Sequence, residues 1–256
     1  MLRSVESLIN YVLDAEDGEI GRCKDLLFDD RQWVTRYMIA DTGKWLPGRK
    51  VLISPISLGE PDWLTQRFPV KMTKAQVENS PPLDADAPVS RKYERLYFDH
   101  HGWPYYWAGG DLWGALPYPP PTPIPLTDKG ESLKEEKEKL EETHLRSFKE
   151  VKGYYIEAID GEIGHAEDFI VDDTSWMFRY MVVDTRNWLP GRKVLISPAW
   201  IEAITWVENH VKVDLTIDAV KNSPEYDPSQ PVNREHEVLL YDYYGRPKYW
   251  EEPPVP

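Results

Sequence analysis

The chain has 256 residues, of which 41% are hydrophobic and 12% aromatic, and its formal net charge is −14 at pH 7. This length accommodates one large domain or two compact ones, each with its own core. The acidic balance disfavours non-specific binding to nucleic acid, because the phosphates carry charge of the same sign.

The sequence shows no membrane-spanning or signal-peptide pattern, and together with the cysteine content this predicts a location in the cytoplasm. No run approaches the roughly twenty apolar residues of a membrane-spanning helix, and MLRSVESLINYVLDAEDGE lacks the basic flank and apolar core of a signal peptide. The single cysteine, Cys23, excludes an intramolecular disulfide and fits a reducing compartment. We therefore expect a cytoplasmic protein without membrane insertion.

The chain contains a tandem duplication. DTGKWLPGRKVLISP at 41–55 recurs as DTRNWLPGRKVLISP at 184–198, and the ungapped match at an offset of 143 residues extends from about 4–107 to 147–250. This period is too long for a solenoid unit, so each copy is predicted to be a domain. The predicted boundaries are 1–107 for the first repeat with an aromatic extension, 108–146 for the linker and 147–256 for the second repeat with its extension.

Within a repeat, the predicted elements are short strands joined by tight turns. GEIGRCKDLLFDD predicts a strand that ends in a turn, and the alternating WVTRYMIADTG and the apolar KVLISP predict the next two strands. A Pro-Gly pair between the last two strands fits a type II turn. The residues assigned to these turns are Asp29, Asp30, Pro47 and Gly48 in the first repeat and Asp172, Asp173, Pro190 and Gly191 in the second.

The remainder of each repeat continues this pattern. WLTQRFPVKMT and ITWVENHVKVDLT each predict two strands that meet at a polar hairpin, and KAQVENSP and IDAVKNSP each predict a short helix. The 23 prolines favour short elements over long helices. The predicted class is mainly β, with each repeat forming a small barrel.

The linker differs in composition from both repeats. PYPPPTPIP favours an extended polyproline II spacer, and GESLKEEKEKLEETHL predicts a short charged helix. This helix is interpreted as lying on the surface, and the alternative of a partner-binding coiled coil is disfavoured because sustained apolar heptads are lacking.

Large aromatic side chains are the candidate interaction residues. One group precedes the Leu-Pro-Gly turns, where an aromatic side chain either packs over a barrel or meets a partner. The second group lies in the aromatic extensions at 91–107 and 234–250, which either form an interface or cover a neighbouring barrel. The candidates are Trp45, Trp188, Tyr97, Trp103, Tyr106, Trp107, Tyr244, Tyr249 and Trp250.

No catalytic, cofactor or metal residues are predicted. An apolar-Asp-Thr-Gly motif in both halves would suggest an aspartic protease, but Arg186 replaces the glycine of the second copy, and Asp41 and Asp184 are interpreted as turn residues. DLLFDD and DFIVDD lack the glycine and distal glutamate of a calcium loop. The His100-His101 pair has no supporting ligand set for zinc. We therefore expect a protein that is not an enzyme.

The order and spacing of these motifs resemble the PRC-barrel family, named for the cytoplasmic domain of the photosynthetic reaction-centre H subunit. The resemblance rests on GEIG at 18–21 and 161–164, the D-x-x-x-D-D turn, the R-Y-M-[IV]-[AV]-D-T strand, the R-K-V-L-I-S-P strand and the V-[EK]-N-S-P helix. It covers about 5–88 and 148–231. It implies two small barrels that serve in binding and assembly, and it supplies no catalytic residue.

The expected function follows from this resemblance. We expect two tandem barrels related by a pseudo-two-fold axis, acting as a scaffold that docks on a protein assembly. The resemblance suggests the cytoplasmic face of a membrane complex, with a peripheral position at the inner membrane and a link to photosynthesis. The alternatives are a hydrolytic enzyme, or a binder of small ligands or metals, that uses acidic residues at an inter-barrel cleft, and a ribosome-maturation-type factor.

Overall fold

The computed structural model describes residues 1–121, 144–185 and 192–251. The charged helix predicted in the linker falls outside the described residues except for 144–145, as does the second half of the proline-rich segment. The chain divides into two compact units. The first unit comprises Ser7–Lys149 and Thr174–Met177, and the second unit comprises Met1–Glu6, Glu150–Asp173 and Phe178–Pro256.

The described elements are mostly short strands. In residues 1–121 they are β1 (Leu2–Ser4), α1 (Val5–Leu8), β2 (Val12–Ala15), β3 (Gly18–Asp29), β4 (Val34–Asp41), β5 (Val51–Ile53), β6 (Arg67–Val70), α2 (Lys74–Glu78) and α3 (Arg91–His101). From residue 144 onward they are β7 (Leu145–Ser147), α4 (Phe148–Val151), β8 (Tyr155–Ala158), β9 (Gly161–Asp172), β10 (Phe178–Asp184), β11 (Lys193–Ile196), β12 (Ile201–Thr205), β13 (His210–Val213), α5 (Ile217–Lys221) and α6 (Arg234–Tyr244).

The first unit is built on a six-stranded sheet in the order β5-β4-β3-β2-β6, with β7 paired to β3. The long β3 pairs antiparallel with β4, and the turn between them forms because Asp29 accepts hydrogen bonds from the backbone N–H groups of Arg31 at 2.9 Å and Gln32 at 3.2 Å. Apolar side chains of β3 and β4 fill the core, including the fully buried Phe28 and Tyr37.

The second unit is built on a seven-stranded sheet in the order β11-β10-β9-β8-β13-β12, with β1 paired to β9. Its core contains the side chains of Phe169, Phe178 and Tyr180, which are all fully buried, and Tyr180 is the equivalent of Tyr37. The mainly β class predicted from the sequence is confirmed. Closure of each sheet into a barrel and a pseudo-two-fold relation remain predictions.

Each sheet receives one strand from the other repeat. Strand β7, which opens the second repeat, pairs with β3, whereas β1, which opens the first repeat, pairs with β9. In the first unit, Asp25 accepts hydrogen bonds from the Ser147 hydroxyl and the Lys149 backbone N–H. In the second unit, Asp168 accepts them from Ser4 and Glu6 in the same way. Asp25 and Asp168, which lie within β3 and β9, therefore anchor the exchanged strands.

One hairpin is predicted late in each repeat, and the two repeats differ in whether both of its strands form. In the second unit, β12 and β13 pair antiparallel as expected. In the first unit only β6 of this hairpin forms, and the chain that precedes it pairs through isolated β-bridges, such as the one between Asp62 and Arg67, instead of a regular strand. Gly59 and Pro61 occupy the positions that hold Glu202 and Ile204 in the second repeat, and glycine and proline both weaken strands.

The aromatic extensions contain two helices that were not among the elements predicted from the sequence. Helix α3 begins after Ser90, whose side chain accepts a hydrogen bond from the N–H of Tyr93, and it ends at Gly102 with φ of 67°. Helix α6 has the same signals, with Asn233 before it and Gly245 after it. No helix among the described residues is long and apolar enough to cross a membrane.

Candidate functional site

The aromatic extension of the first repeat packs largely into its own unit. Tyr97, Trp103 and Tyr106 are at most 5% exposed, whereas Trp107 is half-buried. Helix α3 places Tyr97 under the sheet, where its hydroxyl donates to the carbonyl oxygen of Leu52 at 2.8 Å. Three of the candidate interaction residues are therefore inaccessible to a partner in this structure.

A buried carboxylate organises this extension. The side chain of Glu94 is 3% exposed and accepts hydrogen bonds from the hydroxyls of Tyr37 at 3.0 Å and Tyr106 at 2.7 Å. Its other oxygen lies 2.9 Å from the guanidinium of Arg91. Burial raises the pKa of Glu94, against the opposing effect of Arg91 and the two hydroxyls. Both oxygens are thus engaged by protein groups.

The second repeat reproduces this cluster at the equivalent positions. Glu237 accepts hydrogen bonds from the hydroxyls of Tyr180 at 2.7 Å and Tyr249 at 2.8 Å, and it pairs with Arg234 at 2.9 Å. Trp250 lies under the Arg234 guanidinium, with 4.1 Å between the guanidinium carbon and the ring centroid. Tyr249 and Trp250 are half-buried, as is Tyr244.

An arginine side chain fixes each extension against the sheet, fully buried in the first unit and half-buried in the second. Arg36 of β4 is fully buried, and its guanidinium carbon lies 3.8 Å from the centre of the Tyr106 ring and 4.9 Å from that of Trp113. Arg179 of β10 stacks in the same way on Tyr249 at 4.1 Å. These contacts, with the buried carboxylates, make the extensions an integral part of each fold.

The repeated Trp-Leu-Pro-Gly turn is described in the first repeat alone. Trp45 is half-buried with its ring 5.9 Å from the Lys74 ammonium, Leu46 is buried, and Pro47 and Gly48 are exposed. The φ of 73° at Gly48 fits the second central position of a type II turn. The equivalent residues Trp188, Pro190 and Gly191 lie outside the described residues.

The paired aspartates act as structural anchors. Asp30 pairs with Arg146 of β7 at 3.0 Å, and Asp173 pairs with Arg3 of β1 at 3.5 Å. Asp172 bonds Arg179 at 3.3 Å. Within residues 1–121, 144–185 and 192–251, no group of three or more His, Cys, Asp or Glu side chains is placed to hold a metal ion.

Two hairpin tips expose an aliphatic side chain at the same repeat position. Leu64 is 92% exposed and Val207 is 95% exposed. The preceding tryptophans are half-buried, Trp63 against Tyr11 and Trp206 against Tyr154, each with ring centroids 6.1 Å apart. Sequence reasoning treated these segments as polar hairpins. The signal it missed is the apolar residue that follows tryptophan in both copies.

The first tip is held in a defined conformation. The carboxylate of Asp62 accepts hydrogen bonds from the backbone N–H groups of Leu64 at 3.0 Å and Thr65 at 3.1 Å. Gln66 adopts the left-handed region with φ of 58°, as Asn209 does at the second tip with φ of 57°. Such a turn keeps the aliphatic side chain directed into solvent, because the backbone bonds prevent the tip from folding back.

Two adjoining cavities of about 540 Å³ and 270 Å³ open in the first unit beside the repeated turn. The smaller one is lined by the turn at 41–43 and 46–50 together with Lys24, Asp25 and Lys149. Cys23 contributes to the wall of the larger one, but burial raises the pKa of its thiol to about 12. At neutral pH this thiol is therefore protonated and a poor nucleophile.

No model of a known protein family matches this chain, and no curated protein gives a significant match. The described structure defines a mainly β protein of two compact units, each with a helical aromatic extension held by a buried glutamate. Membership of the PRC-barrel family stays a prediction from the motifs in the sequence.

Proposed function

We propose that this chain is a non-enzymatic scaffold that binds a protein partner through its two hairpin tips. The observation that carries this proposal is the near-complete exposure of Leu64 and Val207 at equivalent positions. Isolated exposed aliphatic residues are common on protein surfaces. The same exposed position in both repeats, with the first tip held by hydrogen bonds from its backbone to Asp62, is a more specific feature.

The energetics of such a contact suit a docking tip. Fully burying a leucine or valine side chain contributes about 1.5–3 kcal/mol. The tryptophan behind each tip already packs on its own unit, so it presents a pre-ordered platform whose immobilisation costs little on binding. Two tips on one chain would also allow two contacts with one assembly.

The enzymatic alternative receives less support from side-chain chemistry. Ser80 and His101 approach to 3.1 Å, but the serine hydroxyl donates to the carbonyl oxygen of Gln76 at 3.0 Å. Burial lowers the pKa of His101 to about 4, which makes the imidazole a weak base. No carboxylate in the described part of the chain bonds that imidazole to orient it as in a triad.

The site of action proposed is the cytoplasmic face of a protein assembly, with a membrane complex as the first candidate. The similarity of the sequence motifs to those of the reaction-centre H-subunit barrel supports this choice. The net charge of −14 disfavours the ribosome-maturation alternative, because the surface repels RNA phosphates.

Site-specific photo-crosslinking in the host tests the proposal. A photoreactive amino acid is placed at position 64 or 207 of the tagged full chain, and adducts are identified separately in soluble and membrane fractions. We expect one partner to be enriched at both positions and lost with Trp63→Ala or Trp206→Ala. The matched control positions are Leu96 and Leu239, which are aliphatic, equivalent in the two repeats and 53% and 62% exposed.

Two outcomes would contradict this function. Adducts at 64 and 207 that match those at 96 and 239 would show that the tips have no particular partner. A partner that crosslinks at Trp107 and Trp250 instead would move the interface to the aromatic extensions.

A further inference from the structure

The smaller cavity of the first unit is lined by three lysine side chains, none of which lies within ion-pair distance of a carboxylate among the described residues. Its wall includes Lys24, Lys50 and Lys149. Within the described residues, none of the three forms an ion pair, and the Lys50 ammonium donates to the carbonyl oxygen of Ala87. In a protein with 44 acidic and 30 basic residues, a group of unpaired lysines around one cavity is unexpected.

In the second repeat, two of the equivalent positions carry opposite charges and form an ion pair. The equivalents of Lys24 and Lys50 are Glu167 and Lys193, which form an ion pair at 2.8 Å. The scaffold therefore brings these two positions into contact distance. In the first unit the same two positions carry like charges, and a bound anion would offset their repulsion.

Lys149 likewise lacks the ion pair that its equivalent residue forms in the second unit. Its equivalent, Glu6, pairs with Lys152 at 2.7 Å in the second unit. In the first unit the position equivalent to Lys152 is Ile9, which offers no charge to Lys149. Both ion pairs of the second unit have thus become unpaired lysines in the first.

The acidic groups of the cavity are already engaged. Asp25 accepts hydrogen bonds from the Ser147 hydroxyl and from backbone N–H groups of Leu26 and Lys149, and burial raises its pKa. Asp41 accepts from the N–H of Gly43 at 3.0 Å. Burial lowers the pKa of Lys50, and the opposing attractions of Asp86 and Asp25 are smaller.

We propose that Lys24, Lys50 and Lys149 bind a phosphate group, either as inorganic phosphate or at the end of a small phosphomonoester. Three ammonium groups around one cavity supply three positive point charges, which suits a multivalent tetrahedral anion. Arg49 is committed to the carbonyl oxygens of Glu78 at 2.9 Å and Ser80 at 3.0 Å, so no free guanidinium fork favours a carboxylate. A volume of about 270 Å³ accommodates a small ligand.

This site does not include residues of the hairpin tips, so the phosphate-binding proposal can be tested independently of the scaffold function. Isothermal titration calorimetry on the full chain, in phosphate-free buffer, measures binding of inorganic phosphate and of glycerol phosphate. We expect one saturable site whose affinity falls as salt is raised. Tighter binding of glycerol phosphate would identify a phosphomonoester as the ligand, whereas equal binding would identify phosphate alone.

The charge-reversal variant Lys24→Glu restores the residue pair of the second repeat. It should fold normally, because Glu167 and Lys193 occupy these positions in the same sheet, and it should weaken phosphate binding at least about tenfold. Lys71→Glu is the control, since it changes the net charge equally at an exposed lysine outside the cavity lining.

Three results would overturn the site. The first is no saturable binding by the wild-type chain up to ~10 mM of either ligand, well beyond millimolar affinity. The second is unchanged affinity in a folded Lys24→Glu protein. The third is an equal loss in Lys71→Glu, which would mean that phosphate responds to overall charge.

Discussion

Removing the hydroxyl of Tyr37 tests whether the buried glutamate holds the aromatic extension in place. In the wild-type protein this hydroxyl donates to Glu94 at 3.0 Å, and both side chains are buried. A hydrogen bond to a charged group contributes about 1.5–3 kcal/mol. The Tyr37→Phe variant leaves Glu94 with only Tyr106 and Arg91, so we expect the free energy of unfolding to fall by about 2 kcal/mol.

Urea denaturation followed by tryptophan fluorescence and far-ultraviolet circular dichroism measures this loss. Tyr180→Phe should cost a similar amount, because Tyr180 makes the equivalent bond to Glu237. The control is Tyr105→Phe, which removes an exposed hydroxyl that bonds Asp99 at 2.7 Å and should cost less than ~0.5 kcal/mol.

A double-mutant cycle with Glu94→Gln separates this bond from general packing effects. The reasoning would be refuted if Tyr37→Phe unfolded within about 0.5 kcal/mol of the wild type, or if the cycle gave no coupling between the two side chains.

Three further predictions concern the turns and the exchanged strands. Burial raises the pKa of Asp25 above its ordinary 3.8, so ionisation of Asp25 destabilises the fold as pH rises through that raised value. The wild-type protein should therefore lose stability relative to Asp25→Asn from about pH 4 upward. A stability difference that is independent of pH in parallel denaturation curves would contradict this. Gly21→Ala should lower the free energy of unfolding by ~3 kcal/mol or more, because a Cβ there overlaps the carbonyl oxygen of Asp41. Gly48→Ala should lower it by only about 1 kcal/mol, because the space around Gly48 is open. Chemical denaturation measures both losses. Cleavage at a protease site inserted after residue 130 should leave the two fragments together on gel filtration, because β1 of the first fragment pairs with β9 of the second and β7 of the second pairs with β3 of the first. Separate elution of the fragments without denaturant would contradict this.

Much of the local structure could be predicted from the sequence. Alternating apolar residues located β4, and the Asp29-Asp30 pair correctly marked the end of β3. Helices α3 and α6 were missed although Ser90 and Gly102 are ordinary capping signals, because aromatic side chains fit strands as well as helices.

The exchange of strands could not be predicted for a physical reason. Leu-Arg-Ser occurs at 2–4 and again at 145–147, and both receiving strands offer the same aspartates. Either copy therefore fits either sheet, and the choice depends on how the chain is connected in three dimensions. The burial of Glu94 was equally hidden, because glutamate is rarely buried unless it is paired.

The exchanged strands also determine when each unit can finish folding during synthesis on the ribosome. The first sheet requires residues 145–147, which emerge only after the whole first repeat and the linker. The second sheet requires residues 2–4, which must stay available until β9 has been made, some 166 residues later in the pairing of Ser4 with Ile170. Folding of the two repeats is thereby coupled, and the nascent first repeat carries an incomplete sheet edge throughout that interval.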